Sequence, residues 1–261
     1  MGFLELFLVL NFINSRNRNT LSVQKAGIAI KLTFLGTKGE IEEFTPRHQY
    51  HASLLLTSGK TRLLIDYGKL RKYTLDELKP DAILITHAHP DPYAWLYEDI
   101  KTEIPVYLTH ETYDYGKYRP ENPVIITPGK QCENGPFEWT AFRVLHSIRC
   151  PAVGFKIKAE DTTAIYNPDL VDIIEKDEVL TGVDYYIGDG SAIRANLVRR
   201  RNDQIFGHTR ISTQINWCKS RGINNIIFTH LGKETMEKEA AFQKEHPEII
   251  MAHDGMEMEI K

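Results

Sequence analysis

Short runs of apolar and β-branched residues recur along the chain, and glycine, proline, asparagine or aspartate bounds them. Such runs are typical of buried β-strands between turns. We therefore predict strands at Ile28–Leu35, Ser53–Thr57, Arg62–Asp66, Ala82–Thr86, Val106–Thr109, Val124–Thr127, Trp139–Leu145, Val153–Ile157, Thr163–Tyr166, Tyr185–Gly188, Asn225–Thr229 and Ile249–Ala252. The segment SLLLTSGKTRLLIDYG predicts a hairpin that turns at Ser58-Gly59-Lys60.

Helical periodicity is less frequent than strand-like patterning. In TRISTQINWCKSRG, Ile211, Ile215 and Cys218 fall on one face, and Gly222 ends the pattern. The other helix candidates are 93–101, 169–181 and 233–245. No repeat, low-complexity tract or linker interrupts the chain, which predicts one α/β domain over residues 28–261.

The first 27 residues differ from the rest. Their apolar stretch, GFLELFLVLNFI, is interrupted by Glu5 and is too short to span a bilayer. It has no basic residues before it and no small-residue cleavage site after it. A weak signal peptide and a helix on a membrane surface stay open, but we favour a peripheral extension over 1–27, with no stable membrane association.

Composition narrows the class of protein without indicating an activity. Hydrophobic residues make up 42% and charged residues 26% of the 261 residues, as in ordinary soluble domains. The net charge of −3 gives no overall positive field for nucleic acid. The cysteines, Cys132, Cys150 and Cys218, form no CxxC and fit a reducing cytoplasm. The GxxxxGK[ST] loop, the GxSxG motif and zinc-ribbon spacing are absent from the sequence.

Titratable residues gather at the carboxyl ends of predicted strands, namely Asp66, His87, His146, Asp169, Asp189 and His230. His87 and His89 are two residues apart and share one side of an extended strand. The loop that follows can bring Asp91 into the same space. Imidazole and carboxylate are ligands of Zn²⁺ and similar cations, which generate hydroxide near neutral pH. The HxHxD segment therefore predicts a metal site.

Five segments resemble, in order and spacing, the motifs of the metallo-β-lactamase superfamily: LLIDYG, ILITHAHPD, VLHS, AIYNPD and IIFTHLG. The resemblance covers about residues 30–260, and AHDGMEMEI resembles the closing strand of these proteins. It implies a four-layer αββα sandwich of the α/β (α+β) class, with a metal site at one edge of two sheets. Such motifs are specific for the fold and much less so for the reaction.

The resemblance also implies roles for individual residues. The implied ligands of a first metal ion are His87, His89 and His146. The implied ligands of a second ion are Asp91, His230 and the bridging Asp169. Asp66 would hydrogen-bond a ligand histidine and fix its tautomer. The implied cofactor is one or two Zn²⁺ ions, with Mn²⁺ or Fe as alternatives.

The residue after Asp91 departs from the family pattern HxHxDH, because Pro92 stands where the last histidine would bind the second ion. Proline offers no donor atom, although it fits the first turn of a helix. Three outcomes stay open: water replaces the ligand, another residue replaces it, or the protein uses one ion or is inactive. The replacements considered are Tyr93, His48, His51 and His110.

His208 precedes the predicted helix, in FGHTRIST. The tRNA 3′-processing endonucleases (RNase Z) and related phosphodiesterases carry a similar element. By this resemblance Asp91 and His208 would form a general-acid pair, with Asp189 as another candidate partner of His208. A helix cap is the plainer role for His208. RNase Z itself is disfavoured, because the 22 residues between His146 and Asp169 leave no room for its tRNA-gripping arm.

Arginines flank the predicted site segment, at positions 194, 199, 200, 201 and 210. Guanidinium groups grip phosphate oxygens bidentately, and we take Arg194 and Arg210 as candidate substrate-binding residues. The sequence thus predicts a cytoplasmic metal-dependent hydrolase of phosphodiesterase or nuclease type, which acts through metal-bound hydroxide on a small phosphodiester or a nucleic-acid end. Two alternatives stay open: an ester, lactone or thioester hydrolase, and an impaired binding protein with a decayed second metal site. The implied fold is compatible with a homodimer.

We expect His87→Ala to abolish metal binding at the first site and all hydrolysis, since a three-histidine site reduced to two loses its geometry. Elemental analysis and turnover of bis-p-nitrophenyl phosphate, measured on one sample, check this expectation. Activity equal to that of the unchanged protein would contradict the metal mechanism.

Overall fold

The computed structural model describes residues 30–261. The predicted extension over 1–27 lies outside the described residues, as do the first two residues of the strand predicted at Ile28–Leu35. The strands are β1 Ile30–Gly36, β2 Ser53–Ser58, β3 Thr61–Ile65, β4 Ala82–Leu84, β5 Val106–Thr109, β6 Pro123–Ile126, β7 Gln131–Asn134, β8 Phe137–Leu145, β9 Ala152–Ala159, β10 Thr162–Tyr166, β11 Asp172–Ile173, β12 Tyr185–Asp189, β13 Leu197–Arg201, β14 Gln204–His208, β15 Asn225–Thr229, β16 Ile249–Met251 and β17 Glu257–Ile260. The helices are α1 Leu75–Leu78, α2 His110–Tyr115, α3 Lys176–Leu180, α4 Ile211–Lys219 and α5 Lys233–Glu245.

Two mixed sheets form the body of the described range. The first has the strand order β17-β1-β2-β3-β4-β5-β6, and the second has the order β11-β8-β9-β10-β12-β15-β16, with β7 also paired to β8. Strands β3 to β6 run parallel to one another, and so do β10, β12, β15 and β16. A separate hairpin of β13 and β14 projects from this body.

Three apolar cores separate four layers. Side chains of both sheets meet in the central core, among them Phe34 and Phe155. Ile215 of α4 and Phe242 of α5 pack on the outer face of the second sheet. Trp95 and helix α1 pack on the outer face of the first sheet. The order helix, sheet, sheet, helix confirms the predicted αββα sandwich.

The apolar pattern of each strand follows from what covers it. In β1, burial alternates residue by residue, because one face meets the central core and the other is more open. In β4 every residue is buried, because the outer core covers its second face. The predicted hairpin is present, and Ser58 pairs with Thr61 so that Gly59 (φ 60°) and Lys60 form the turn.

Two of the predicted helices differ from the structure. The helix predicted at 93–101 is wrong, because only the 3-10 turn Ala94–Leu96 is helical there. The buried indole N–H of Trp95 donates to the carbonyl of Ile100 at 3.1 Å. This hydrogen bond holds the segment after Leu96 against the indole ring, so the segment does not continue as a helix. Within 169–181 only α3 is helical, since Asp172–Ile173 pair with β8 instead. Helix α5 has the predicted limits.

The hairpin of β13 and β14 was not predicted, because the arginines at 199–201 interrupt any apolar alternation. Its turn uses Asn202 and Asp203 with φ of 47° and 61°, a left-handed geometry that these residue types tolerate. Most of its residues are exposed, so it gains little from burial. Among the helices found between residues 30 and 261, none combines the length and the apolar character that crossing a bilayer requires.

We expect Phe155→Ala to lower the free energy of unfolding by about 3–5 kcal/mol, the usual cost of removing a buried phenyl ring. Phe155 is fully buried between the sheets, and its ring centroid lies 5.7 Å from that of Trp139. Urea denaturation measures the change. Phe44→Ala is the control, because that ring is 70% exposed, and a similar loss in both variants would contradict the assignment of the core.

Candidate metal centre

The candidate ligands lie where strands of both sheets end at one edge. His87 follows β4 of the first sheet, while His146, Asp169 and His230 follow β8, β10 and β15 of the second. Strands β8 and β10 both run antiparallel to β9, so their carboxyl ends share this edge. Asp66 and His230 turn the chain there with φ of 62° and 56°, a strained geometry for residues other than glycine that clusters at functional sites.

The loop after β4 is held tightly against the end of β3. A Cβ atom on Gly68 would lie 1.7 Å from the carbonyl oxygen of Asp91, so only glycine permits this approach. The next residue, Lys69, donates its backbone N–H to the carbonyl of Pro90 at 2.9 Å. The position of Asp91 is therefore set by backbone packing.

Three histidines form a first group of donors. The candidate ligand nitrogens of His87, His89 and His146 lie within 4.8 Å of one another. Nδ1 of His89 and Nε2 of His146 are 3.2 Å apart. Nε2 of His87 is buried and has no hydrogen-bond partner among the described residues. An unpaired buried nitrogen is costly, and a cation between the three rings would remove that cost.

A second group of donors consists of Asp91, Asp169 and His230, all of them buried. Nε2 of His230 lies 2.8 Å from Oδ2 of Asp91 and 3.2 Å from Oδ1 of Asp169. The same Asp169 oxygen lies 3.6 Å from Nε2 of His146. Asp169 thus stands between the two groups, the position that the resemblance assigned to a bridging ligand.

The electrostatics of these groups fit a divalent cation. Burial lowers the pKa of His87 well below its ordinary value and that of His146 to about 3, which keeps both rings in the neutral form that binds metal. Burial raises the pKa of Asp169 to about 7. For Asp91, burial acts in the same direction, but the contact with His230 outweighs it and lowers the pKa. A bound cation would favour the ionised form of both carboxyl groups.

Asp66 contacts a candidate ligand histidine through Thr86, whereas the resemblance implied a direct hydrogen bond. Its Oδ1 accepts hydrogen bonds from the backbone N–H of Thr86 at 2.8 Å and from the Thr86 hydroxyl at 3.0 Å. The hydroxyl oxygen lies 3.1 Å from Nδ1 of His87. Asp66 therefore contacts His87 through Thr86 and not directly. The reason is that the backbone N–H of Asp66 donates to the carbonyl of Leu84, which places the carboxylate opposite Thr86.

His208 pairs with Asp189 and not with Asp91. Nδ1 of His208 lies 2.8 Å from Oδ2 of Asp189 and 3.1 Å from the hydroxyl oxygen of Ser191. Asp91 contacts His230 instead. Within residues 30–261 no hydrogen bond or ion pair joins Asp91 to His208, and the alternative partner, Asp189, is the one that contacts His208. The physical reason is that β12 ends at Asp189 beside the base of the hairpin, where β14 ends at His208.

A family model described as "Beta-lactamase superfamily domain" matches residues 48–187, which include the segments from Asp66 to Asp169. The chain belongs to the beta-lactamase superfamily. No curated protein sequence matches the chain significantly.

Solved structures show the same fold for this superfamily member. The metallo-beta-lactamase fold protein YhfI from Bacillus subtilis is 18% identical, with a TM-score of 0.67 over 89% of this chain and 99% of that chain. A diphosphatase from the PhnP family is also 18% identical, with a TM-score of 0.64 over 89% and 97% of the two chains. Human tRNase Z, short form, is 16% identical, with a TM-score of 0.63 over 88% and 99%.

The residues considered as replacements at position 92 do not join either group of donors. Tyr93 is fully buried in the core outside the first sheet. Both ring nitrogens of His48 contact other side chains, and His110 is exposed on α2. His51 is buried, but its Nδ1 lies 3.4 Å from the backbone nitrogen of Leu70. None of them belongs to a set of donor atoms close enough to share an ion within residues 30–261.

Two residues at the site were not predicted from the sequence. A carboxylate oxygen of Glu40 lies within 4.8 Å of donor atoms on His89 and Asp91. Burial and the charge of Asp91 raise the pKa of Glu40 to about 7. Nothing in its loop sequence marks it. The hydroxyl of Ser191 lies 3.0 Å from Nδ1 of His230, and its place just after the end of β12 is the signal that could have found it.

Two adjoining cavities open on the metal centre. One of about 490 Å³ is lined by every member of both groups of donors except the fully buried His87. The other, of about 720 Å³, is bordered by His89, His146 and His208 and by the arginines Arg149, Arg199 and Arg201. Arg194 and Arg210, the candidate substrate-binding residues, line neither cavity. Arg194 is tied by its backbone N–H to Glu234, and Arg210 is the exposed N-cap of α4.

We expect Zn²⁺ at about 100 times its Kd to raise the melting temperature by about 5–10 °C, because the ion binds only the folded centre. Calorimetry before and after treatment with EDTA measures the shift. His110→Ala should keep the full shift, since that ring is exposed on α2, and His87→Ala should reduce it, because it removes a ligand of the first ion. Equal shifts in both variants would show that Zn²⁺ binds elsewhere.

Proposed function

We propose that this superfamily member is a metal-dependent hydrolase that cleaves phosphodiesters. The observation that carries the proposal is the pair of His208 and Asp189 beside the metal centre. The side chain of His208 is 23% exposed and borders both cavities. Its Nδ1 is held by Asp189, while its Nε2 makes no hydrogen bond within residues 30–261. An imidazole held in this way can donate a proton from Nε2 to a leaving oxygen.

The charge of Asp189 suits His208 to the role of an acid. Burial alone would lower the pKa of His208, but the carboxylate of Asp189 outweighs it and raises the pKa. A raised pKa favours the protonated ring, the form that a general acid requires. Asp189 is itself fixed by the backbone N–H groups of Leu170 and Ser191. This support resists rotation of the carboxylate away from His208.

The two groups of donors would hold the cation. His87, His89 and His146 would take one ion, and Asp91 and His230 a second, with Asp169 shared between them. A cation held there would lower the pKa of bound water and would offset negative charge on a phosphoryl oxygen. The ligand types suit Zn²⁺, with Mn²⁺ and Fe as alternatives.

Arginines of the second cavity supply the recognition of phosphate. Arg149 lies in the loop after β8, and Arg199 and Arg201 lie on β13. Their guanidinium groups can bind phosphate oxygens bidentately. Because this cavity adjoins His146 and His208, a phosphate bound there lies next to the reacting group. A small phosphodiester and a nucleic-acid end both fit this arrangement. The names of two similar structures, a diphosphatase and a tRNase Z, agree with phosphate chemistry.

Hydrolysis of a carboxylic ester, lactone or thioester is the second candidate. It is favoured by the position of Arg194 and Arg210 outside both cavities. The apolar side chains of Ile41 and Leu197 also line the first cavity, and they could pack against an acyl chain. The same donors would serve this reaction, so the fold does not separate the two candidates.

Two substrates with different leaving groups distinguish a proton-donating role of His208 from a positioning role. We expect His208→Ala to slow hydrolysis of a DNA dinucleotide by about 10²–10⁴-fold, because the alkoxide leaving group needs a proton. The same variant should hydrolyse bis-p-nitrophenyl phosphate with much less loss, because p-nitrophenolate leaves without one. Steady-state kinetics on the Zn²⁺- and Mn²⁺-loaded proteins measure both, with His110→Ala as the control.

Other outcomes would redirect the proposal. Equal losses on both substrates would assign His208 to positioning. Turnover of p-nitrophenyl acetate without turnover of either phosphodiester would favour the acyl candidate. A metal-loaded protein without turnover of any of the three substrates would favour a binding protein.

A further inference from the structure

The second group of donors lacks one ligand from its own segment. Asp91, Asp169 and His230 offer three donor atoms, and Asp169 is shared with the first group. A closed zinc site usually has four protein ligands. The residue that follows Asp91 is Pro92, whose side chain has no donor atom.

Glu40, an exposed residue, lies beside Asp91, a member of the second group of donors. A carboxylate oxygen of Glu40, a ring nitrogen of His89 and an oxygen of Asp91 all lie within 4.8 Å of one another. Glu40 lines the same cavity as Asp169 and His230. Its carboxylate has no hydrogen bond or ion pair with any other residue in the part of the chain that the structure describes.

The backbone on either side holds Glu40 at this position. The N–H of Leu231 donates to the carbonyl of Thr37 at 2.7 Å, and the N–H of Gly39 donates to the carbonyl of Leu231 at 3.1 Å. A Cβ atom on Gly39 would lie 3.0 Å from Cε1 of His230, so the loop lies directly against that ring. The buried Lys38 closes the turn by donating from Nζ to the carbonyl of Ile41 at 2.7 Å.

We propose that Glu40 is a ligand of the second cation, together with Asp91, Asp169 and His230, in place of the side chain that Pro92 lacks. The inference rests on the metal centre of the proposed function. It gives the two ions different surroundings, with three nitrogens at the first and mainly carboxylates at the second. Carboxylate ligands suit Mn²⁺, so the second position accepts Mn²⁺ more readily than the first.

Metal titration tests the assignment without relying on activity. Chelator-stripped protein is equilibrated with Zn²⁺, or separately with Mn²⁺, and the bound ion is counted by elemental analysis. We expect two Zn²⁺ ions per unchanged chain. Replacing even a residue that only supports a ligand costs about 10–100-fold in affinity, so Glu40→Ala should weaken the second ion at least that much and leave the first unchanged. Glu40→Gln should fall between.

Glu42→Ala is the matched control, because Glu42 is exposed like Glu40 and lies in the same loop, but belongs to none of the donor groups. It should bind both ions as the unchanged protein does. The affinity of the first ion reports that each variant is folded. Pro92→His added to Glu40→Ala should restore the second ion, because it exchanges one donor for another.

The outcomes distinguish a failure of the role of Glu40 from a failure of the metal centre as a whole. Two ions bound equally tightly by the unchanged protein and by Glu40→Ala overturn the role of Glu40 and leave the metal centre standing. A single ion in the unchanged protein also overturns that role. No bound ion in any of the proteins overturns both the centre and the inference. If the second ion still binds weakly after Pro92→His is added to Glu40→Ala, the inference that Glu40 takes the place of a ligand at position 92 is overturned.

Discussion

The shared direction of strands on the two sides of the central core determines where the functional groups lie. Because β3 and β4 run parallel in one sheet, and β10, β12 and β15 in the other, their carboxyl ends open on one edge. Each strand then needs to deliver only one or two side chains there. A different direction for β10 alone would move Asp169 to the far end of the sandwich. The chemistry therefore depends on the packing of the sheets.

That edge gathers groups that would not stay together without support. Nitrogens of His87, His89 and His146 face one another, and the carboxyl groups of Asp91 and Asp169 approach the same atom of His230. The structure holds them by backbone contacts and by partners such as Thr86 for His87. The arrangement suits a bound cation, because a cation would give the unpaired nitrogen of His87 a partner and would offset the repulsion between the two carboxylates.

The sequence predicted the features that depend on local patterns. The apolar runs predicted strands, the resemblance carried by the motifs implied the αββα layers, and the candidate metal ligands followed from that resemblance together with their positions at strand ends. Features that depend on distant segments meeting were missed. Glu40 lies on a loop that pairs with Leu231 at the site. Asp189 was one of two partners considered for His208, and the contact between them depends on an unpredicted hairpin that ends beside β12. The same hairpin places Arg199 in the lining of the cavity of about 720 Å³. Arg194 and Arg210 do not line that cavity.

The contact between Gly68 and the carbonyl of Asp91 has a consequence for ion selectivity. Since backbone packs against backbone there, the aspartate has little freedom to shift toward or away from an ion. An arriving ion therefore orders few additional torsions, and little conformational entropy is lost on binding. A ligand whose backbone is held in this way also shifts little to suit the radius of the ion. Discrimination between ions then depends on how well the ionic radius and preferred coordination geometry match fixed distances, rather than on the chemical softness of the ligands alone.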